Sequence, residues 1–297
     1  LYFAAAWDPP LLPSATLEDR YVRDPERELE RVLVLLELHA GGADINRFDN
    51  SGFTPLLYAC MNGTTSQVRF LLQNGAELYD GTDGLFASPL IDRPAPQDNG
   101  DEPELRTVHP VALGAASSGD AGVLTLLAEY GADLNVIDSR GRDLIEVAVE
   151  RANNLVIPEL LGFGFDPDTA DAQGRTLLMR AMRCTTDTSR LRNRFRGHAP
   201  TARALIEGGA DVSQTDNEGR TALHYAAGSS VPDLVTLLLD AGADPLAKDN
   251  EGRLPSDYTK ADAPRIERYA IDATARANNS TILLRAVARA RAAKDAE

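Results

Sequence analysis

Gly209-Ala210-Asp211-Val212 and Asp216-Asn217-Glu218-Gly219-Arg220-Thr221-Ala222-Leu223-His224 lie within one short stretch, and both strings recur along the chain. The first returns as Gly42-Ala43-Asp44-Ile45-Asn46, Gly75-Ala76-Glu77-Leu78, Gly131-Ala132-Asp133-Leu134-Asn135 and Gly242-Ala243-Asp244-Pro245, with Gly164-Phe165-Asp166-Pro167 a degraded copy. The leading glycines are spaced by 33, 56, 33, 45 and 33 residues. The unit is therefore 33 residues, and two intervals carry insertions of 23 and 12. A fixed period of this size signals stacked supersecondary units that cannot bury their apolar faces alone.

The second string runs in phase with the first. It reads Asp49-Asn50-Ser51-Gly52-Phe53-Thr54-Pro55-Leu56, then Asp138-Ser139-Arg140-Gly141-Arg142-Asp143-Leu144, Asp171-Ala172-Gln173-Gly174-Arg175-Thr176-Leu177 and Asp249-Asn250-Glu251-Gly252-Arg253-Leu254-Pro255. Thr54, Thr176 and Thr221 stand where a helix N-cap hydroxyl is wanted. A short apolar helix follows, as in Leu56-Leu57-Tyr58-Ala59, then a polar turn and a second helix with one apolar face. Val68, Phe70, Leu71 and Leu72 hold the same places as Val235, Leu237, Leu238 and Leu239. The recurring glycine supplies the left-handed residue that ends the second helix.

In period and wording these motifs resemble the ankyrin repeat over roughly residues 28 to 260. The resemblance implies an all-α solenoid of about six to seven helix-turn-helix repeats with two insertions. Residues 24–297 are expected to form one repeat domain, preceded by a Pro-rich tether over 1–23. Leu1-Tyr2-Phe3 reads as a possible remnant of a cleavage site and stays outside the fold argument. Asp24-Pro25-Glu26 starts a helix that, through Leu29–Leu38, gives a first, incomplete repeat acting as N-terminal cap. At the other end, residues 261–297 are expected to cap the stack. There Ser280 starts a helix over Thr281–Ala293 with Ile282, Leu283, Ala286, Val287 and Ala290 on one side and Arg285, Arg289 and Arg291 on the other.

Charge narrows the function. The 297 residues hold 30 Lys and Arg against 45 Asp and Glu, a net of −15. A chain this acidic lacks the electrostatic footprint of a nucleic-acid binder. No apolar run has the length of a membrane span. Cys60 and Cys184 cannot build a disulfide framework, and stacking would hold them beyond the roughly 7 Å reach of a disulfide. His39, His109, His198 and His224 show no metal-ligand spacing, and there is no nucleophile elbow or phosphate loop. No cofactor and no enzymatic activity are expected. The resemblance instead implies that the concave surface, made of turn tips and first helices, binds another protein, and that His224 bonds between repeats.

Candidate contact residues follow from the same register. After each turn glycine come Phe53, Arg142, Arg175, Arg220 and Arg253. Four arginines, one per repeat, would form a ladder able to pair carboxylates in bidentate fashion. The competing reading is that Arg here is ordinary repeat wording. The matching first-helix position holds Tyr58, Val147, Arg180 and Tyr225, of which Tyr and Arg are frequent interface anchors. The alternative is that the tyrosines cover a neighbouring repeat.

The longer insertion, about residues 80–104, is rich in Pro, Gly and Asp. Glu77 to Glu104 carries eight acids against Arg93, a net of −7. Its Leu85 and Phe86 would either dock on the stack or anchor a partner. The shorter insertion, about 185–198, belongs to a basic stretch in which Arg183, Arg190, Arg192, Arg194 and Arg196 face only Asp187, a net of +4. It would meet an acidic partner or a phosphate, or fold back on the protein's own acidic surface. Together these features suggest a scaffold that grips a partner bearing a basic patch, in its sharper form an inhibitor or immunity protein of a toxin or enzyme. The alternative is a cytosolic adaptor recruiting a client. A monomer is expected, and the missing N-terminal Met tilts the expectation towards a secreted or periplasmic protein over a cytoplasmic one.

Overall fold

The computed structural model describes residues 25–49, 53–62, 64–78, 110–118, 120–138, 140–182, 198–229, 231–259 and 273–295. The chain divides into two compact units, residues 1–147 and 148–297. Among the described residues the secondary structure is helical, with one isolated bridge between Ala170 and Thr176.

In the first unit, α1 (Pro25–Ala40) packs on α3 (Thr65–Gln73). The hairpin of α2 (Pro55–Asn62) and α3 is followed by that of α4 (Val111–Ser117) and α5 (Ala121–Glu129). α2 packs on α4 and α3 on α5, so short first helices form one row and second helices another. The division between units falls inside α6 (Leu144–Glu150). The second unit continues with α7 (Ile157–Gly162), α8 (Leu177–Met182), α9 (His198–Glu207), α10 (Ala222–Ala227) and α11 (Pro232–Asp240). A 3-10 turn at Pro255–Thr259 and α12 (Ala273–Lys294) complete it. α8 packs on α10 and α10 on the 3-10 turn, while α7, α9, α11 and α12 pack in series. The expected helix-turn-helix stack is present in each unit.

Local chemistry sets the helix ends. The Thr54 hydroxyl accepts from the Leu57 amide at 3.2 Å, and that of Thr176 from Met179 at 3.3 Å. At Thr221 the backbone amide donates to His224 Nδ1 at 3.0 Å, which leaves Nε2 protonated to donate to the Arg253 carbonyl at 3.3 Å. His224 thus ties one repeat to the next. Each second helix stops at a glycine with φ between 83° and 95°, from Gly42 to Gly242.

The core is the apolar seam between the two rows. Leu56, Ala59, Cys60, Leu71, Ala115, Leu124 and Leu127 fill it in the first unit, and Leu177, Met179, Leu205, Leu223, Leu234 and Leu238 in the second. Burial pushes the Cys60 thiol far above its ordinary range, so it packs as a small apolar group.

The C-terminal helix differs from expectation at its start. It begins at Ala273, so Ser280 lies inside it and is no cap. The reason is Asn279, which is fully buried and donates from Nδ2 to the carbonyls of Ala226, Ala227 and Ser229 at 3.4, 3.2 and 2.9 Å. A polar residue that would weaken an isolated helix here closes the C-terminal end of α10. Leu283 and Val287 are buried as expected, and Arg285, Arg289 and Arg291 are exposed.

Candidate interaction surface at the turn tips

Each turn tip is organised around an aspartate. Asp216 Oδ1 accepts from the amides of Glu218 and Arg220, both at 2.9 Å, which folds the turn that Gly219 allows. Its Oδ2 accepts from Arg220 Nε at 2.8 Å and from the Tyr225 hydroxyl at 2.6 Å. The Arg220 guanidinium lies 5.1 Å from the Tyr225 ring centre. The next repeat builds the same cluster. Asp249 takes the amides of Glu251 and Arg253 at 2.9 and 2.8 Å, Arg253 Nε at 2.7 Å and the Tyr258 hydroxyl at 2.5 Å. Asp171 holds Arg175 Nε at 2.7 Å, and in the first unit Asp138 holds Arg142 Nε at 2.7 Å. In the second repeat Phe53 replaces the arginine and stacks edge-on against Tyr58 at 5.4 Å, while the Tyr58 hydroxyl donates to Asp49 at 2.8 Å.

Electrostatics follow from this geometry. Burial alone would raise the Asp249 carboxyl, but the Tyr258 hydroxyl, the Arg253 guanidinium and two amides outweigh it and hold the pKa at about 2. Asp138, Asp171 and Asp216 are lowered against burial in the same way. Burial and the carboxylate that they serve push the phenols of Tyr225 and Tyr258 up. Burial lowers His224, so it stays neutral in its capping tautomer.

The sequence-derived candidates therefore already have partners inside the fold. Arg142, Arg175, Arg220 and Arg253 each pair with the aspartate four residues earlier. Arg180 pairs with Glu150 at 3.1 Å. Tyr58 and Tyr225 hold their own turn aspartates. Leu85 and Phe86, the insertion at 80–104, Cys184, His109 and the residues 185–197 of the shorter insertion lie outside the described residues.

Sequence reasoning missed the aspartates as organising centres and Tyr258 as the fifth member of the Tyr58 position. The signal was available: Asp49 to Tyr58, Asp216 to Tyr225 and Asp249 to Tyr258 are each nine residues.

The last two tips present acids outward, where Gln173 and the exposed Arg140 stand at the matching position of the two before them. Glu218 and Glu251 pair with the Nη1 atoms of Arg220 and Arg253 at 2.8 and 2.6 Å, yet their side chains remain 62% and 69% exposed. The tips are also locked to one another. The Asn217 amide donates to Gln173 O at 3.0 Å, and the Asn250 amide to Glu218 O at 2.9 Å. Asn250 Nδ2 adds a bond to Asn217 O at 3.0 Å. Among the described residues, no three His, Cys, Asp or Glu side chains are placed to hold a metal ion, and no helix is long and apolar enough to cross a membrane.

Comparison with known proteins places the fold. Family models described as ankyrin repeats match residues 27–72 and 194–249. The chain is similar to human ankyrin repeat and SOCS box protein 6, with 28% identity over 226 residues, 71% of this chain and 47% of that protein. It is also 28% identical to human Rabankyrin-5 over 171 residues, 55% of this chain and 13% of that one. The chain thus spans half or less of the length of these curated relatives. Among solved structures, the ankyrin repeat domain of human ASB11 superposes with a TM-score of 0.55 at 22% identity, covering 88% of this chain and 97% of that one.

Proposed function

Since this chain is an ankyrin-repeat protein, a fold that serves in general as a non-enzymatic module for binding other proteins, we propose that it grips one protein partner through the turn tips of Gln173, Glu218 and Glu251. Residues 24–297 act in this reading as a single repeat domain. The observation that carries it is the row of tips fastened by Asn217 and Asn250, with carboxylates outward and arginines turned to their own aspartates. A surface already rigid loses little entropy on binding. The partner's matching surface is basic, and in the sharper form the partner is a toxin or enzyme with a basic rim that binding silences. The net charge of −15 supports this by speeding encounter with a cationic surface.

A pull-down at low and high salt tests the proposal. One partner that is released by salt and loses activity when bound supports the inhibitor. Several weak clients support an adaptor. Capture of acidic proteins alone contradicts the role of the tips.

A further inference from the structure

The glycines that end the second helices have a counterpart twelve residues earlier. Gly63, Gly119 and Gly197 stand there in the second, third and fifth repeats, Ser230 in the sixth and Ala152 in the fourth. Ala152 has φ 55° and is, among the described residues, the one left-handed residue that is not glycine. The way α6 ends imposes this. The Ala152 amide donates to the Val149 carbonyl at 3.0 Å, and the Asn153 amide to that of Ala148 at 2.9 Å. This pair of bonds closes a helix when the residue after its C-cap is left-handed, a conformation that glycine takes freely and a Cβ opposes. Strain of this kind persists only where the surroundings enforce it, and it gathers at switch segments.

Ala152 leads into the shortest second helix of its unit. α7 has six residues against ten in α9 and nine in α11. A helix this short closes few bonds of its own and stands by packing. The packing rests on Val156, Ile157 and Leu160, all 0% exposed, while Leu155 before them and Phe163 after them are 54% and 42% exposed. The turn that follows is fastened separately. Ala170 pairs with Thr176, the Leu177 amide donates to the Thr169 carbonyl at 3.1 Å, and Asp171 holds Arg175. The Gln173 tip is thus tied to α8.

We propose that residues 151–164 form a conformational switch: they open as one segment while the rest of the second unit stays folded, and the strain at Ala152 sets how readily they do so. Closed, the segment buries Val156, Ile157 and Leu160. Open, it adds these three to the exposed Leu155 and Phe163, while the tips of Gln173, Glu218 and Glu251 keep their places.

Native-state hydrogen exchange on the full chain and on its Ala152→Gly variant tests this. In the parent, the Leu160 and Phe163 amides, bonded to the Val156 and Glu159 carbonyls, are expected to exchange roughly tenfold or more faster than those of Leu205 and Leu238. Glycine removes the Cβ penalty, so Ala152→Gly is expected to slow the Leu160 and Phe163 amides about three- to tenfold. The amides of Leu205, Leu238 and Asn217, the last of which donates to Gln173 O, are expected to be unchanged. Leu160 and Phe163 amides as slow as those of Leu205 and Leu238 in the parent overturn the proposal, as does a variant that leaves them unaltered. A variant that slows Asn217 or Leu238 as much as Leu160 also overturns it, since the strain then weighs on the whole unit and not on one segment.

Discussion

The Tyr258 hydroxyl donates to the carboxylate of Asp249 at 2.5 Å, across the nine residues that join a turn tip to the 3-10 turn behind it. The Tyr225–Asp216 and Tyr58–Asp49 pairs repeat this relationship. Each bond fastens a loop to a packed element, so the tip geometry is inherited from the stack.

Replacing Tyr258 by Phe keeps the ring over its neighbours and removes one hydrogen bond to a charged, buried acceptor. The expected loss is about 1.5–3 kcal/mol, the usual range for such bonds. Asp249→Ala is expected to cost more, because it removes the acceptor of the Tyr258 phenol and of the Glu251 and Arg253 amides at once, while the partly exposed Arg253 keeps Glu251. Urea unfolding of both variants, read by circular dichroism, checks the order.

Acidification separates two groups by sign. The folded Asp249 sits at about 2 against 3.8 for the ordinary carboxyl, so the unfolded chain binds its proton first as pH falls. Its contribution is complete above about pH 4 and is lost progressively towards pH 2, with Asp138, Asp171 and Asp216 acting in the same direction. His224 is lowered from 6.5, so the unfolded chain again binds the proton first. Stability therefore declines as pH drops from 6.5 through the folded value. In a series of urea titrations, His224→Gln is expected to flatten the slope just below pH 6.5 and leave the slope below pH 4 intact.

Two glycines with similar backbones differ in what surrounds them. Gly242 has φ 90° and open space around an added Cβ, so Gly242→Ala carries only the left-handed backbone cost of about 1–2 kcal/mol. Gly219 has φ 74°, and a Cβ there would stand 2.5 Å from Asn250 Oδ1 and 2.9 Å from its amide nitrogen. Gly219→Ala is expected to be the more destabilising of the two and to speed exchange of the Asn250 amide. Equal losses would mean that the ladder between tips adds nothing.

Asn279 offers a test at the C-terminal end. Asn279→Leu removes the fully buried donor to three carbonyls and is expected to cost about 1–3 kcal/mol. Exchange should quicken across α12 before it does in α9. Exchange that stays uniform would show that Leu283 and Val287 alone dock this helix.

Much of this architecture was legible because repeat glycines and capping threonines are local signals: Gly42 to Gly242 mark helix ends whatever surrounds them. The paired state of Arg175, Arg220 and Arg253 was not legible in the same way. An arginine four residues after a turn aspartate reads as surface until the turn brings its Nε to the carboxylate. The early start of α12 was hidden because Asn279 looks like a helix breaker until the carbonyls of Ala226, Ala227 and Ser229 are placed beside it.

In the proposed complex the partner meets the acidic tips of Glu218 and Glu251. In a titration of the captured partner at several salt concentrations, the double variant Glu218→Lys, Glu251→Lys is expected to bind at least tenfold more weakly. Its salt dependence should be shallower, and its unfolding midpoint should be close to that of the parent, because both side chains are largely exposed. An affinity and salt slope equal to those of the parent would contradict binding through the turn tips.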